Sequence, residues 1–364
     1  MTFQLLRPEA LSPDALDALL ASGWYRMRQS VFTCRYLLGP RGLHSAVWTR
    51  LPLRGYAFRG SLKRRLRRMH QSFQVDIVDE GPGPEHEALY ERYVDHVGGD
   101  RPESLRDVLF DEDVDGNPLF RTRQVRVRDA SGTLVACSFF DEGREALQSV
   151  VGIYEPRLAS YGLGLTTMLE EIRYGLAGGF RFHYSGYVVP GVAAFDYKRD
   201  VGDLQYYDPE QHVWRALSSL DVEALQAVRL RRGLEQVSAR LSQIGVPHRL
   251  LCYPPYRVVF VNELQERCIS SPLFLECGRA GDGNVSLVLT HDPSAGTWTL
   301  DACQRGRDLT ELLGEAPGPD AGPKADLCLL VRVDRAGTTD SPDQAARWVG
   351  RALGRGPWRC VDPD

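Results

Sequence analysis

A cluster of hydroxyl groups and one cation falls in a single stretch of the chain, between His183 and Lys198 (HYSGYVVPGVAAFDYK). The chemically useful side chains are those of Tyr184, Ser185, Tyr187, Tyr197 and Lys198. Hydroxyls and a cation beside exposed backbone N–H groups suit acyl transfer, in which an ester carbonyl becomes a tetrahedral oxyanion. The stretch therefore predicts the floor of an acyl-transfer site. A strand–helix unit whose tyrosines pack at its rim explains the same residues equally well.

The elements around this cluster are predicted to place it at the mouth of a cleft. Residues Phe182–Tyr187 read as a strand, Pro190-Gly191 as a turn, and the following residues as a helix start that ends at Tyr197-Lys198. A strand that opens into a turn of small residues leaves backbone N–H groups without strand partners. Those groups would then point into the cleft, beside the hydroxyls.

A glycine-rich helix start precedes the cluster. Tyr161-Gly162-Leu163-Gly164 opens a helix that runs to Ala177, and Thr166 lies in its first turn. Glycines at a helix start let an anion or a carbonyl approach the unpaired N–H groups of the first turn. A lone Gly-x-Gly is more often only a tight turn, so both interpretations stay open.

The most basic segment is Ser61–Phe73 (SLKRRLRRMHQSF). Its apolar residues fall on one helix face, and the other faces carry Lys63, Arg64, Arg65, Arg67 and Arg68. Like charges four residues apart on a helix repel unless an anion lies between them, as for Arg64 and Arg68. The segment is thus a candidate phosphate-binding surface, with Arg26 and Arg28 as additions, or a solvated helix face.

Composition limits where a polyanion could bind. The chain has 364 residues, a net charge of −4 and a pI of about 6.1, so contact with nucleic acid must come from a local basic patch. No run of apolar residues is long enough for a membrane helix, and the first residues do not resemble a signal peptide. We expect a cytoplasmic protein without a membrane partner.

The eight cysteines are scattered, and none forms a C-x-x-C pair. In a chain of this length that pattern indicates reduced, mostly buried thiols in a cytoplasm. We predict no metal site.

The order of elements indicates an α+β fold. Three predicted strands (Arg121–Arg128, Thr133–Phe140 and Leu147–Ile153) are followed by the glycine-rich helix and the strand that starts at Phe182. We expect a mixed sheet with flanking helices and a C-terminal α+β domain. The predicted divisions are an N-terminal region with the basic helix (1–80), a core (81–217) and an accessory domain (218–364). A long amphipathic helix at Leu220–Ile244 belongs to this last domain and could equally form a dimer seam, so the oligomeric state stays open.

Several motifs together resemble a known family. The β-β-β-α-β order resembles the GNAT acyltransferase fold, and within it the match is closest to arginyl-tRNA–protein transferases and their bacterial relatives. Tyr184-x-Gly186-Tyr187 followed by Phe195-x-Tyr197-Lys198 resembles the family's Y-x-G-Y and M-x-Y-K signature. The helix start at Leu163-Gly164, the element Cys34-x-Tyr36-Leu37 and the basic segment resemble further parts of the family.

The resemblance implies an aminoacyltransferase that moves an amino acid from a charged tRNA to the amine of a protein or peptide. The tRNA is then the co-substrate, with no other cofactor. Carried over to this chain, the catalytic residues are Tyr187, Lys198, Tyr197 and Ser185. The substrate-binding residues are Tyr184, Gly162, Gly164, Thr166, Tyr36 and Cys34. The tRNA-binding residues are Lys63, Arg64, Arg65, Arg67 and Arg68.

No general base follows from the sequence. Asp196, Glu170 and His183 lie in the neighbourhood, and the acceptor amine could instead lose its proton to water. The chain also departs from the family: only Cys34 remains of its N-terminal cysteines, and Gly191–Phe195 replaces a turn of different composition. These departures leave the transferred amino acid and the acceptor open.

Two alternatives belong to other classes. The first is a GNAT-type N-acyltransferase that uses acyl-CoA, which is weakened by Ala159 at a position where such enzymes carry Arg or Gln. The second is a non-catalytic module that binds tRNA or a protein degradation signal.

Overall fold

The chain forms two compact units. The computed structural model describes residues 3–39, 42–98, 101–111, 119–257, 267–313, 323–356, 358–359 and 361. The central unit comprises Leu6–Thr33 and Val47–Leu220, and the C-terminal unit comprises Met1–Leu5, Cys34–Ala46 and Asp221–Asp364.

The helices and strands are numbered in chain order. The α-helices are α1 (Pro13–Ala21), α2 (Gly60–Ser72), α3 (Pro84–Val97), α4 (Leu105–Leu109), α5 (Leu163–Ala177), α6 (Gln226–Gln243), α7 (Thr310–Leu313) and α8 (Pro342–Arg355). The strands as far as residue 216 are β1 (Phe3–Leu6), β2 (Tyr25–Met27), β3 (Ser30–Cys34), β4 (Tyr36–Gly39), β5 (Gly42–Ser45), β6 (Val47–Pro52), β7 (Gln74–Val78), β8 (Thr122–Arg128), β9 (Leu134–Glu142), β10 (Ala146–Tyr154), β11 (Phe182–Val188), β12 (Gln205–Asp208) and β13 (Val213–Ala216). The later strands are β14 (Arg249–Cys252), β15 (Leu273–Ala280), β16 (Val285–Asp292), β17 (Thr297–Asp308), β18 (Cys328–Thr339) and β19 (Trp358–Arg359).

The central unit is built on a mixed sheet with the strand order β13-β12-β6-β11-β10-β9-β8-β7. Strands β8, β9 and β10 are antiparallel neighbours, α5 follows them, and β11 returns parallel to β10. This is the β-β-β-α-β order that the sequence predicts, so the predicted α+β class is confirmed. The sequence did not predict that β6, from the N-terminal part of the chain, pairs with β11 near the middle of the sheet.

Helices cover both faces of this sheet. On one face α5 packs against β9 and β10, and α2 packs against α5. On the other face α3 packs against β9 and β10. The apolar residues predicted to share one face of the basic helix, Leu62, Leu66 and Met69, are buried under α5. Burial of that face leaves the basic side chains of α2 pointing away from the core.

The parallel pair β10–β11 is short, and this creates the cleft. Its pairing ends at Gln148↔Tyr184. Next, β10 changes register with β9 between Ser149 and Val151, and β11 changes register with β6 between Tyr184 and Gly186. A bulge bends a strand and increases its twist. Both strands therefore have a register shift next to their last common pair, which is where β10 and β11 diverge.

The C-terminal unit is a second α+β structure. Strands β14 to β18 form an antiparallel sheet in chain order, and β19 pairs with β15. The helix α6 buries Leu230, Leu234, Val237 and Leu241 in the core of this unit, where it packs against α8, β15 and β16. Its apolar face is therefore used within the unit, and the predicted alternative of a dimer seam along these residues is wrong.

Candidate active site

A cleft of about 890 Å³ opens where β10 and β11 diverge. Ser149–Gly152 of β10 and Ser185–Tyr187 of β11 form its walls within the sheet. Helix α5 closes one side through Gly164, Thr167, Met168 and Glu171. These helix residues lie three, four and seven positions apart, the spacing of a single helix face. The cleft is thus built from elements of the central unit alone.

Aromatic side chains line much of the remaining wall. They are Tyr25, Phe32, Trp48, Tyr93, Tyr154, Tyr187, Phe195 and Tyr197. Trp48 stacks on Tyr25 with 3.9 Å between ring centroids and meets Tyr187 edge-on at 5.1 Å. Trp48 and Tyr25 are almost fully buried, so the ring faces on which a nucleobase could stack are those of the partly exposed Tyr93, Tyr154, Phe195 and Tyr197.

Gly162 shapes the edge of the cleft at the start of α5. Its φ of +62° is a left-handed conformation that favours glycine. A Cβ at this position would lie 2.1 Å from Nη1 of Arg65. The absent side chain therefore makes room for the guanidinium, which also donates to the Tyr161 carbonyl at 3.3 Å. Gly162 and Gly164 both line the cleft, where the N–H groups of the first turn of α5 have no acceptor within the helix.

Ser185 lies in the cleft wall and is almost fully buried. Its Oγ is 2.9 Å from Oγ1 of Thr49, and that hydroxyl donates to the Gly186 carbonyl at 2.8 Å. Because the Thr49 proton is used there, Ser185 is the donor of the pair. Its oxygen then faces the cleft as an acceptor.

Lys198 and Tyr187 meet in the cleft. The ammonium of Lys198 donates to the Tyr187 carbonyl at 3.0 Å and lies 5.6 Å and 5.7 Å from the ring centroids of Tyr187 and Phe195. Burial lowers the pKa of Lys198 from 10.5 to about 8, against the nearby Glu171 carboxylate, which raises it. At neutral pH the amine is a cation that gives up its proton more easily than an exposed lysine.

Tyr197 also lines the cleft, on a 3₁₀ segment (Ala193–Val201) in place of the predicted helix start. The residue is 39% exposed, although burial around the hydroxyl raises its pKa above the usual range. Tyr197 is therefore a neutral hydrogen-bonding group at neutral pH.

Glu171 is a buried carboxylate of the cleft that the sequence did not identify. It is fully buried, and its Oε2 lies 2.9 Å from Nε2 of His183, which is also fully buried. Ser149 donates to its Oε1 at 3.4 Å. The sequence did contain a signal for Glu171. Thr167, Met168 and Glu171 lie three, four and seven residues after Gly164, so all four residues share one face of α5.

Two other cleft residues were missed because they carry no motif. Ser138 of β9 and Gln148 of β10 are each 2% exposed. Their Oγ and Oε1 atoms have no hydrogen-bond partner among the described residues. Buried polar atoms are nearly always paired, so both atoms are available to a ligand.

A second, smaller pocket of about 230 Å³ adjoins the start of α5. Arg64, Arg65 and Arg68 of α2 line it together with Ser61, Met69, Ser160, Tyr161 and Leu163. Arg68 lies over the Tyr161 ring, 4.6 Å from its centroid. Within the described residues, the only α2 side chain that pairs with a carboxylate is His70, with Glu170. Arg65 lines both this arginine pocket and the cleft.

The remaining predicted basic residues behave differently. Lys63 and Arg67 are exposed on α2 and do not line the arginine pocket. Arg26 is buried and pairs with the fully buried Asp141 at 2.7 Å. The expectation that Arg26 adds to a phosphate-binding surface is therefore wrong, because its charge is already neutralised.

Four predicted substrate-binding residues lie outside the cleft. Tyr184 is buried on the other side of β11, with its ring against Tyr25 and Trp214. The Thr166 hydroxyl donates to the Gly162 carbonyl at 2.8 Å and so holds the helix start. Tyr36 and Cys34 are buried in the C-terminal unit, and burial raises the pKa of the Cys34 thiol to about 12.

The structure also shows which of the acid–base candidates named from the sequence lie near the cleft. Glu170 is buried outside the cleft with His70 and Arg173. Asp196 is half exposed and pairs with Arg199 at 3.7 Å. His183 faces Glu171, so of these candidates only His183 touches a group in the cleft.

The described residues include no helix that is both long and apolar enough to span a membrane. The described cysteines form no disulfide, and all except the partly buried Cys328 are buried. The expectation of mostly buried thiols is confirmed for this part of the chain.

Part of the central unit is similar to a family of known proteins. Residues 85–208 match the family described as "Arginine-tRNA-protein transferase, C terminus". The chain is 29% identical over 160 residues to an aspartate/glutamate leucyltransferase of Xanthomonas campestris pv. campestris (strain B100), which covers 43% of this chain and 63% of the relative. It is 29% identical over 146 residues to the enzyme of the same name from Paracoccus denitrificans (strain Pd 1222), which covers 34% and 52%.

Similarity to solved structures is lower. The L-PGS of Bacillus licheniformis shares 10% sequence identity, with a TM-score of 0.30, over 49% of this chain and 52% of that one. A score this low carries no argument about function. The chain spans only 63% of the length of the Xanthomonas relative. The match over 85–208 contains the Tyr184–Lys198 signature and the helix start at Gly162, so the motifs that resemble the arginyl-tRNA–protein transferase family fall within the segment that matches it.

Proposed function

We propose that the protein is an aminoacyltransferase that moves an amino acid from a charged tRNA to the amine of a protein or peptide. The observation that carries this proposal is the position of Arg65, which lines both the arginine pocket and the cleft. A polyanion held by the α2 arginines would lead directly into a cleft with the groups for acyl transfer.

The arginine pocket supports the nucleic-acid part of the proposal. Arginines bind phosphates through paired N–H donors, and here they have no carboxylate to compete among the described residues. The aromatic wall of the cleft offers stacking faces for unpaired bases at the 3′ end of the tRNA. Together these features suit a single-stranded end that enters the cleft while its phosphates remain outside.

The chemistry requires one bond to form and one to break. The acceptor nitrogen attacks the ester carbonyl, and the tetrahedral oxyanion collapses to an amide with release of the tRNA ribose hydroxyl. N–H groups at the start of α5 can stabilise the oxyanion, and Ser185 and Tyr197 can hydrogen-bond the ester or the ribose. Lys198 adds a positive charge beside the developing negative charge. The proton of the amine ends on the ribose oxygen.

Charged tRNA and the acceptor are the proposed partners, and no further cofactor is needed because the ester is already activated. The buried, unbridged cysteines favour a cytoplasmic location. Names of the relatives and of the family make leucine and arginine the first amino acids to test.

The test is a transfer assay with tRNA charged with labelled leucine, arginine or a mixture of amino acids, and a peptide library as acceptor. We expect label to move from tRNA to peptide, and expect Lys198→Met with Tyr187→Phe to slow it at least tenfold. Label that stays on tRNA with every amino acid would contradict the proposal. Transfer from labelled acetyl-CoA instead would identify an acyl-CoA enzyme. Binding of tRNA without any transfer would identify a binding module.

A further inference from the structure

A buried carboxylate faces the cleft without a bonded cation. Glu171 accepts hydrogen bonds from Ser149 and His183, and the described residues form no ion pair of Arg or Lys with it. Lys198 is close enough for Glu171 to raise its pKa, but its ammonium donates to the Tyr187 carbonyl. Burying a charge is costly unless it is paired, so a cationic group of a ligand that enters the cleft is favoured beside this carboxylate.

His183 orients the carboxylate of Glu171. The ring is fully buried, and its Nδ1 has no hydrogen-bond partner among the described residues. The contact of 2.9 Å between its Nε2 and Oε2 of Glu171 therefore holds the ring and the carboxylate together. His183 thus acts as a positioning residue.

The other charged and titratable groups around Glu171 do not replace that cation. From the segment after β11, Lys198 and Tyr197 face it, and Tyr154 of β10 lines the same cleft. Asp141 of β9 is already paired with Arg26. Asp200, His96 and the arginines Arg26, Arg65 and Arg101 also line the cleft, and none of them is bonded to Glu171 among the described residues.

We propose that Glu171 binds the ammonium group of the acceptor and takes its proton, which converts the amine into a nucleophile. The ligand class is a primary ammonium, such as the N-terminus of a peptide. The ammonium loses two protons on the way to the amide. The first passes from nitrogen to the Glu171 carboxylate and then to the ribose oxygen as the ester bond breaks, and the second, which the nitrogen loses after its attack, is released to solvent. This inference rests on the proposed aminoacyl transfer and names the base for it, with His183 as a positioning residue.

The neighbouring glutamate provides a matched control. Glu170 and Glu171 are both fully buried on α5, but Glu170 pairs with Arg173 and His70 away from the cleft. Glu171→Gln and Glu170→Gln therefore make the same chemical change at adjacent positions. Thermal unfolding of both variants checks that each is folded.

The first measurement is the single-turnover transfer rate as a function of pH. A general base contributes about 10²–10⁴-fold, so we expect Glu171→Gln to slow transfer at least a hundredfold at neutral pH and Glu170→Gln to stay within about threefold of wild type. An N-terminal amine has a pKa near 8, so the deficit of Glu171→Gln should shrink above about pH 8, where the amine arrives neutral. A Glu171→Gln variant with the wild-type rate and pH profile would overturn the inference.

A second donor distinguishes the two ammonium groups of the reaction. With N-acetylaminoacyl-tRNA, the donor has no α-ammonium, and we expect the deficit of Glu171→Gln to persist. A deficit that vanishes with this donor would assign Glu171 to the donor amine and overturn the proposed role.

A binding measurement tests the site without transfer. The probes are a peptide with aspartate at its free N-terminus and the same peptide N-acetylated, titrated calorimetrically. Wild type should prefer the free amine at least tenfold, and Glu171→Gln should lose this preference while Glu170→Gln keeps it. If wild type transfers nothing yet shows this preference, the proposed function fails and the ammonium site stands. A preference unchanged in Glu171→Gln overturns the site.

Discussion

The arginines of α2 and those of the C-terminal sheet face different surroundings. Arg64, Arg65 and Arg68 line an open pocket and form no ion pair with a carboxylate among the described residues. On the C-terminal sheet, by contrast, five arginines share three carboxylates that are almost fully buried. The arginines are Arg249, Arg279, Arg305, Arg332 and Arg335, and the carboxylates are Glu276, Asp301 and Asp326.

Glu276 shows how the paired arrangement works. It is fully buried and accepts from Arg249, from Arg279 at 2.7 Å and from Ser286 at 2.9 Å. Burial alone would raise the pKa of Glu276, but these hydrogen bonds lower it below its ordinary value. The number of arginines alone therefore does not predict where an anion binds. The sheet arginines form ion pairs with carboxylates of the protein, whereas the α2 arginines remain available to an external anion.

The largest effect is expected where a paired charge is removed. Glu276→Ala leaves Arg249 and Arg279 without their carboxylate and should lower the free energy of unfolding by about 3 kcal/mol. Chemical denaturation of the variant measures this loss, and Glu276→Gln, which keeps hydrogen-bond acceptance, should lose less. Because the pKa of Glu276 is lowered, its contribution is present above the unfolded pKa near 4.5 and is lost as pH falls through the folded value. Stability unchanged in Glu276→Ala would contradict the paired arrangement.

An intermediate effect is expected where unpaired charges are removed. Arg64→Gln with Arg68→Gln should weaken tRNA binding and reduce the slope of log affinity against log salt by about 1.5, since each phosphate contact contributes about 0.7–0.9. Titrations at several salt concentrations measure both.

The matched control removes two positive charges from the other region. Arg279→Gln with Arg335→Gln should leave tRNA affinity and its salt slope unchanged while lowering stability. Equal weakening of binding in the two double variants would remove the distinction between the regions.

The smallest effect concerns Lys198, a partly buried cation that bonds a carbonyl instead of a carboxylate. Its pKa is lowered to about 8, so between about 8 and 10.5 the unfolded chain binds more protons than the folded chain. Stability contributed by this group therefore rises with pH through that window. The stability difference between Lys198→Met and wild type should shift by about 1 kcal/mol in favour of wild type between about pH 7 and pH 9. A difference that does not vary with pH would mean that Lys198 is not buried as a cation.

Periodic features were predictable from the sequence. The apolar face of α2, the helix from Leu163 to Ala177 and the strand at Phe182 follow from spacing alone, because helix and strand periods decide which side chains can be buried together. The signature at Tyr184–Lys198 likewise lies in the segment that matches the transferase family. Of its residues, Ser185, Tyr187, Tyr197 and Lys198 do line the cleft.

Long-range placement was not predictable. Cys34 and Tyr36 resemble family residues but lie in the C-terminal unit, and β6 joins β11 across more than a hundred residues of sequence. Such pairings depend on contacts between distant segments, which a local pattern does not encode. The same holds for Arg26, whose charge is taken up by Asp141.

The sequence by itself therefore determined the elements, the resemblance to a family and the composition of the cleft signature. Only the tertiary structure decided which groups face the cleft. Glu170 and Glu171 illustrate the reason: adjacent residues on a helix differ by about 100° in direction, so one pairs with Arg173 and the other enters the cleft beside His183. Which of the two glutamates faces the cleft depends on where β10 and β11 diverge. The packing of the whole sheet sets that position.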